Sequence, residues 1–296
     1  MAHDHGHHHA PKSFGSAFAI GIGLNLLFVA VEAGAGLWVN SVALLSDAGH
    51  NLSDVLGLVV AWAGAMMART GSSPRFTYGL KKASILAALA NAIFLLVAIG
   101  AIVAEAIRRL LHPAPTEGSV VMAVAAVGIL VNGATALLFQ SGRDHDINIR
   151  GAFLHMAADA LVSVGVVIAG YAILMTGKAW IDPVVSLIVA AVILLGTMSL
   201  LKESVWMSLA GVPSGIDVGE VQSALAAIPG VEAVHDLHVW PMSTTENALT
   251  AHLFAPGIAS TDALLSTARS TIERTFGIHH STLQIETVDT SDCEEC

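Results

Sequence analysis

Six long apolar segments restrict what this chain can fold into more than any other feature. They cover approximately residues 14–38, 42–67, 83–107, 119–140, 150–176 and 182–203. A helix needs about 20 apolar residues to cross the hydrocarbon core of a bilayer, and only helices and closed barrels satisfy their backbone groups there. Charged residues make up 12% of the chain, about half the share found in soluble domains. The sequence therefore predicts an all-α, six-helix transmembrane bundle within residues 14–207.

The basic residues that flank these segments predict how the bundle is oriented. One side of the membrane receives eight of them and the other side three. The larger group is Lys12, Arg69, Arg75, Lys81, Lys82, Arg143, Arg150 and Lys202, and the smaller is Arg108, Arg109 and Lys178. Because basic residues accumulate in cytoplasmic loops, we expect both termini in the cytoplasm.

Residues 1–13 form a histidine-rich tail that contains His3, His5 and His7 to His9. The chain does not open with a basic stretch, a short apolar core and a cleavage site, so we expect no cleaved signal peptide. The interruptions at Asp4 and Gly6 favour a native metal-binding tract over an added tag.

Residues 208–296 have the composition of a separate soluble domain. They contain 12 acidic and two basic residues, so the whole net charge of −10 lies there, and repulsion disfavours contact with nucleic acid. Two segments have helical spacing and three look like strands. The helices are Asp217–Ile228 and Thr261–Phe276, and the strands are Val231–Trp240, Ala248–Phe254 and Ser281–Val288. This αββαβ order predicts a small cytoplasmic α+β domain with its helices on one face of a short sheet.

Two histidine–aspartate pairs inside apolar helices are the main functional signal. His50 and Asp54 are four residues apart, and so are His155 and Asp159, 105 residues further along the chain (155 − 50 and 159 − 54). Residues four apart share a helix face, and ionisable groups within a bilayer are costly unless they serve a function. Two imidazoles and two carboxylates suit Zn²⁺ and would neutralise its charge. We interpret the four residues as an intramembrane site for a transported divalent cation.

The same ligands suggest how transport could be driven. Histidine binds metal only when it is deprotonated, so loading the site releases protons and protonation expels the metal. This predicts exchange of Zn²⁺ for H⁺ across the bilayer, with no cofactor besides the ion. The alternatives are another cargo (Co²⁺, Cd²⁺, Ni²⁺, Fe²⁺ or Mn²⁺), a membrane metalloenzyme, or a metal sensor. No base of the HExxH type stands near either pair, so we do not expect an enzyme.

Two further polar residues of the apolar helices are candidates for the ion pathway. Asp47 precedes His50 by one turn and is expected to line the route to the site. Asn25 is expected either to approach the metal ligands from the first helix or to hydrogen-bond a neighbouring helix.

The soluble domain offers a second set of ligands on strands and at the C-terminus. The set is His235, His238, His252, Glu286, Cys293 and Cys296. A terminal CxxC can close over ligands carried by a strand, which favours a regulatory cytoplasmic metal site. Because side chains alternate along a strand, His235 and His238 are expected on opposite faces and should not share one ion.

Several of these stretches together resemble one family of membrane proteins. The motifs are Ala43 to Asp54, Thr77-Tyr78-Gly79 leading into Ile85 to Asn91, Asp182-Pro183, Val234 to Trp240 and His280 to Glu286. They are similar to those of the cation diffusion facilitator zinc transporters, from about residue 15 to the end of the chain.

The resemblance implies a homodimer of six-helix protomers in a lipid bilayer, each with a metallochaperone-like cytoplasmic domain, exporting zinc by proton exchange. It assigns His50, Asp54, His155 and Asp159 to the transport site, in the ligand combination that goes with zinc preference. It assigns His235, His252, Glu286, Cys293 and Cys296 to a cytoplasmic site that the N-terminal histidines could complete.

The chain also departs from the family pattern. Ser72 to Tyr78 lacks the Asp and His residues of an interfacial metal site, so no such site is expected. Lys82 and Ser84 stand where an Arg and a Glu are common, which puts a salt bridge there in doubt. Gln284 replaces a possible histidine ligand. The short 141–148 connection and the small size suggest a prokaryotic plasma-membrane protein.

Overall fold

A computed structural model describes residues 15–38, 42–112, 118–176, 178 and 180–288. The chain divides into two compact units. One contains the residues up to Met66 together with Leu86–Lys202, and the other contains Met67–Ile85 together with the residues from Glu203 onward. The connection between the second and third helices therefore belongs with the C-terminal domain.

Six long helices account for all six apolar segments. They are α1 (Gly15–Trp38), α2 (Val42–Ala68), α3 (Ala83–Leu111), α4 (Gly118–Phe139), α5 (Ile147–Thr176) and α6 (Ile181–Ser208). Among the described residues, four stretches are long and apolar enough to cross a membrane, namely Gly15–Gly34, Ala83–Leu111, Met122–Gly142 and Ser186–Ser208. The N-terminal part of the chain is thus a multi-pass membrane domain made of helices.

The first unit has a core in which helices from distant parts of the sequence meet. Phe18 of α1 packs on Phe139 of α4 with ring centroids 4.9 Å apart. Leu58 of α2 and Met156 of α5 are buried in the same cluster. Many other large apolar side chains, such as Leu27 and Leu195, remain exposed on the protein. Such side chains suit a lipid surface, because a bilayer leaves no penalty for exposing them.

The C-terminal domain has the predicted order of helices and strands. It consists of α7 (Val218–Ala226), β1 (Ala233–Pro241), β2 (Asn247–Phe254), α8 (Thr261–Phe276) and β3 (His280–Glu286). The β1 and β2 strands pair antiparallel, β2 and β3 pair parallel, and β2 lies in the centre. The side chains of Asp217 and Ser260 accept hydrogen bonds from backbone N–H groups at the starts of α7 and α8. Gly277, with a φ of 67°, follows the last residue of α8.

Both helices of this domain cover the same face of the sheet. Val221 and Leu225 of α7 and Leu264, Ala268 and Ile272 of α8 are buried with the strand residues of that face. Those strand residues are Val234, Val239, Leu249, Ala251, Leu253 and Leu283. The opposite face is consequently free to carry polar side chains, and all the predicted ligands of β1, β2 and β3 lie there.

The expectation that His235 and His238 point to opposite faces is wrong. His235 pairs with His252 and His238 pairs with Thr250, and the register shifts between the two histidines. Residues paired across two strands lie on one face, and so do His252 and Thr250, which are two apart. The shift is a β-bulge, which inserts an extra residue and restores both histidines to the same face. Asp236, at the bulge, has a φ of 50°.

Residues 67–85 contact the β1–β2 hairpin and β3 within the second unit. Lys81 forms an ion pair with Glu246, and the backbone N–H of Thr244 donates to Ser84 Oγ over 3.2 Å. The ring of Tyr78 meets that of His280 edge-on at 5.3 Å. The salt bridge of this region is therefore formed by Lys81 with Glu246, next to the Lys82 and Ser84 positions.

Reversing one charge of the Lys81–Glu246 pair should loosen this contact. Because the pair is partly exposed, Lys81→Glu or Glu246→Lys is expected to cost up to about 1 kcal/mol, and the double reversal should recover most of the loss. Hydrogen exchange of the backbone amides of residues 76–85 and 242–247 measures the effect. Lys82→Glu, at the exposed neighbouring position, is the control. Amide protection as high in both single variants as in the unmodified protein would contradict the prediction.

Candidate metal site

Helices α2 and α5 bring together three of the four predicted intramembrane ligands. Nε2 of His155 lies 3.0 Å from Oδ1 of Asp54 and 3.7 Å from Oδ2 of Asp159. Ligand atoms around a tetrahedral Zn²⁺, with bonds of about 2.0–2.2 Å, are about 3.4 Å apart. The two observed separations lie on either side of this value. The three side chains can therefore bind one ion with small adjustments.

The burial of these side chains points to the same conclusion. Asp54 and His155 are 4% and 5% exposed, and Asp159 is half-buried. The contact between His155 and Asp54 is short, but neither ring nitrogen of His155 has a hydrogen-bond partner of good geometry among the described residues. Buried polar atoms usually have such partners. The imidazole and the two carboxylates are therefore close enough together to serve as ligands of one ion.

His50 and Asp47 lie in α2, one and two turns before Asp54. Their side chains are outside the described part of the structure, as are those of Asp182 and of the N-terminal histidines. The assignment of His50 as the fourth ligand therefore remains a prediction from its spacing of four residues before Asp54.

Asn25 connects α1 to the region of the ligands. Its Nδ2 donates to Gly21 O at 2.9 Å and lies 3.3 Å from Thr135 Oγ1 and 3.5 Å from Met156 Sδ. Asn25 is 2% exposed, and Met156 is the residue next to His155. The side chain thus connects α1 with α4 and α5 and contacts the residue next to His155.

Asn51, which lies between His50 and Asp54, was not among the predicted site residues. Nδ2 of Asn51 donates to Oε2 of Glu32 over 2.7 Å, and both side chains are buried. This bond ties α1 to the segment of α2 between His50 and Asp54. Two features of the sequence could have indicated this contact. Asn51 is an amide between His50 and Asp54, and Glu32 is a carboxylate inside an apolar helix.

Asn91 of α3 is a second residue near the ligands that was not among the predicted site residues. An added Cβ at Gly57 would meet Oδ1 of Asn91 at 3.1 Å and Cε1 of His155 at 4.0 Å, and one at Gly151 would meet Nδ2 of Asn91 at 2.8 Å. The amide is therefore held between α2 and α5, close to the ligands. Two glycines make room for it, and no local pattern in the sequence relates them to Asn91.

A second cluster of ligands lies on the polar face of the C-terminal sheet. Nε2 of His235 is 3.0 Å from Oε2 of Glu286, and Nδ1 of His252 is 3.0 Å from Oε1 of the same carboxylate. The two imidazole rings meet edge-on at 5.3 Å. Cys293 and Cys296 are outside the described residues. Three of the five predicted ligands of this site are thus within reach of one ion.

The chain thus carries a buried set of imidazole and carboxylate groups within apolar helices and a second set on its C-terminal domain. Two such sets are typical of membrane proteins that handle divalent cations. The family model described as the cation efflux transmembrane domain matches residues 18–207, and the one described as the cation efflux protein cytoplasmic domain matches residues 213–288. The chain belongs to the cation efflux family.

Characterised relatives are similar over nearly their whole length. The zinc transporter ZitB of Escherichia coli K12 is 36% identical over 291 residues, covering 97% of this chain and 93% of the relative. The metal cation efflux system protein CzcD of Cupriavidus metallidurans is 32% identical, covering 97% and 90%. A cadmium, cobalt and zinc/H⁺–K⁺ antiporter of Bacillus subtilis is 33% identical, covering 95% and 92%. These relatives are transporters and efflux proteins.

An alanine at Gly151 should disturb the metal site through Asn91. The added methyl would lie 2.8 Å from Nδ2 of Asn91, and such overpacking typically costs about 1–3 kcal/mol. We expect a lower melting temperature in detergent and weaker zinc binding. Gly100→Ala is the matched control, because an added Cβ meets nothing within 4 Å there and the helix should be stabilised slightly. The prediction is wrong if both variants behave like the unmodified protein.

Proposed function

We propose that this chain exports Zn²⁺ from the cytoplasm in exchange for H⁺ by alternating access, with His50, Asp54, His155 and Asp159 as the transport site. The observation that carries this proposal is the buried cluster of Asp54, His155 and Asp159. Two carboxylates and two neutral imidazoles balance the charge of Zn²⁺, which limits the cost of holding the ion inside the bilayer. The ligand types are those that zinc accepts in tetrahedral geometry.

Proton exchange follows from competition for the same nitrogen atoms. An imidazole must lose its proton before it binds a metal, so each loading of the site is linked to proton release. When the site opens to the more acidic side, protonation displaces the ion. The Bacillus subtilis relative is named as an antiporter of cadmium, cobalt and zinc against H⁺ and K⁺, which supports this coupling.

The proposed topology has six membrane spans within residues 14–207, both termini in the cytoplasm, and a cell membrane location. It is supported by the six long helices and by the excess of basic residues in the 2–3 and 4–5 connections. Residues 1–13 form the histidine-rich tail, and residues 208–296 form the cytoplasmic domain. The transported ion passes between the two sides without chemical change, so the proposed activity is transport rather than catalysis.

Two polar residues have proposed supporting roles. Asp47 lies three residues before His50, on the same side of α2, and would attract the ion along its route. Asn25 orients the segment of α5 that carries His155, through its contact with Met156.

The proposed role of the second cluster is regulatory. His235, His252 and Glu286 would bind Zn²⁺ together with Cys293 and Cys296, on a metallochaperone-like domain that pairs with its counterpart in a homodimer. The donor set fits zinc, since imidazole, carboxylate and thiolate are its usual ligands. Without metal, the acidic domains of two protomers repel each other, and bound Zn²⁺ would reduce that repulsion.

Asp159→Asn should abolish zinc transport while leaving the fold intact. The amide occupies the same volume, but it removes one negative charge and one strong ligand from the buried site. The measurement is zinc uptake into proteoliposomes under an imposed pH gradient. Asp144→Asn, an exposed position in the 4–5 connection, is the control and should transport normally. Uptake by Asp159→Asn at the wild-type rate, or wild-type uptake that ignores the pH gradient, would refute the proposal.

Transport of other cations is a second candidate function, because the Bacillus subtilis relative is named for cadmium and cobalt as well as zinc. Cd²⁺ and Co²⁺ accept imidazole ligands, whereas Mn²⁺ prefers carboxylates and water. The same uptake assay with Zn²⁺, Cd²⁺, Co²⁺ and Mn²⁺ ranks them. We expect zinc first and manganese last, and a higher rate for Cd²⁺ or Co²⁺ would reassign the main substrate.

Loss of the C-terminal ligands should prevent zinc from drawing the domains together. Small-angle scattering of the full-length protein in detergent should show a smaller radius of gyration with Zn²⁺ than without it. His235→Ala/His252→Ala should remove that change, whereas His279→Ala, at an exposed position, should retain it. A radius that does not respond to zinc in the unmodified protein would argue against the regulatory role.

A further inference from the structure

Asp236 occupies an unusual position in β1, next to the C-terminal cluster. It lies in the β-bulge between His235 and His238, with a φ of 50°. Among residues other than glycine, Asn and Asp tolerate this left-handed conformation best, and such backbone strain is concentrated at functional sites. The bulge therefore costs energy locally, which calls for a compensating interaction.

The carboxylate of Asp236 supplies two contacts. Its Oδ1 accepts a hydrogen bond from Nε2 of His238 at 2.8 Å, and its Oδ2 lies 3.3 Å from Nε2 of His252. The opposite nitrogen of His252, Nδ1, faces Glu286 at 3.0 Å. The imidazole of His252 is thus held between two carboxylates, one on each ring nitrogen.

Only one of these carboxylates belongs to the cluster of ligands. The ligand atoms of His235, His252 and Glu286 lie within 4.8 Å of one another, whereas Asp236 is not part of that group. A histidine that binds a metal through one nitrogen usually donates its other N–H to a carboxylate, which fixes the tautomer and the orientation of the ring. Asp236 has the position that such a partner requires.

We propose that Asp236 is the positioning residue of the C-terminal metal site, where it accepts the Nε2 hydrogen of His252 and so presents Nδ1 to the ion. This inference rests on the proposed regulatory site. His238 donates a hydrogen bond to Oδ1 of Asp236 and does not bind the ion. The bulge is the structural device that makes this possible, because it turns the Asp236 side chain toward His252 and brings His238 onto the same face.

The left-handed backbone permits a clean test. Asp236→Gly removes the carboxylate and takes a φ of 50° without strain, while Asp236→Asn keeps the backbone preference and removes the charge. Both variants are made in full-length protein that also carries Asp54→Asn and Asp159→Asn, so that the intramembrane site is disabled and the variants and their parent differ only at the C-terminal site. The probe is Zn²⁺ alone, titrated in competition with a chromophoric chelator. Asp262→Asn, an exposed carboxylate in the first turn of α8, is the matched control.

Both Asp236 variants should bind zinc about 10- to 100-fold more weakly than the parent, and Asp262→Asn should bind as the parent does. X-ray absorption of the zinc-loaded variants should show an unchanged number of imidazole and oxygen ligands. In protein labelled with ¹⁵N-histidine, the Nε2 proton of His252 should be protected from solvent exchange in the zinc-loaded parent, less protected in Asp236→Asn, where a neutral amide oxygen replaces the carboxylate, and unprotected in Asp236→Gly, where no side-chain acceptor remains. Purely structural damage would not move this proton signal selectively.

Two results would overturn the proposal. Zinc affinity within twofold of the parent in both variants would show that Asp236 does not position His252, and loss of one oxygen ligand would make Asp236 a ligand instead. His235→Ala/His252→Ala in the same background separates this failure from a failure of the regulatory site. If that double variant binds as much zinc as the parent, the site itself is wrong and the role of Asp236 is refuted with it.

Discussion

The cost of placing ionisable groups in a bilayer is the constraint on which the helical domain depends. Asp54, His155 and Asp159 meet where α2 and α5 pack together, and a buried charge is tolerable there only when it is compensated. In the proposed function, a divalent cation supplies that compensation from outside the chain. The same set of residues is less costly when it is loaded or protonated than when it is empty and charged, which makes exchange between the two forms a natural cycle.

Neutral polar side chains support these ligands from the surrounding helices. Asn51 receives a fixed orientation from Glu32 of α1, Asn25 contacts Met156 beside His155, and Asn91 fits between α2 and α5. Each amide acts one residue or one contact away from a ligand. Amides can hold helices together without adding charge, so the site gains rigidity while its electrostatic balance is left to the ion.

The two metal clusters are built by different geometries. In the membrane domain, helical periodicity places His155 and Asp159 one turn apart and a second helix supplies Asp54. In the C-terminal domain, three strands each contribute one ligand, and a bulge adds Asp236. The intramembrane cluster is buried and suits transient passage of an ion between two sides. The second cluster lies on a half-exposed sheet face, which suits the regulatory role proposed for it.

The sequence by itself determined the six helices, the αββαβ order and which histidines and carboxylates share a helix face, because these follow from periods of 3.6 and two residues. It also indicated Asp54, His155 and Asp159 as one site. Only the tertiary structure decided the bulge at Asp236, the insertion of Asn91 between Gly57 and Gly151, and the pairing of Lys81 with Glu246. A bulge interrupts the two-residue period from which the faces of a strand are predicted. The contacts of Asn91 and of Lys81 join residues far apart in the chain, and a local sequence pattern carries no information about such contacts.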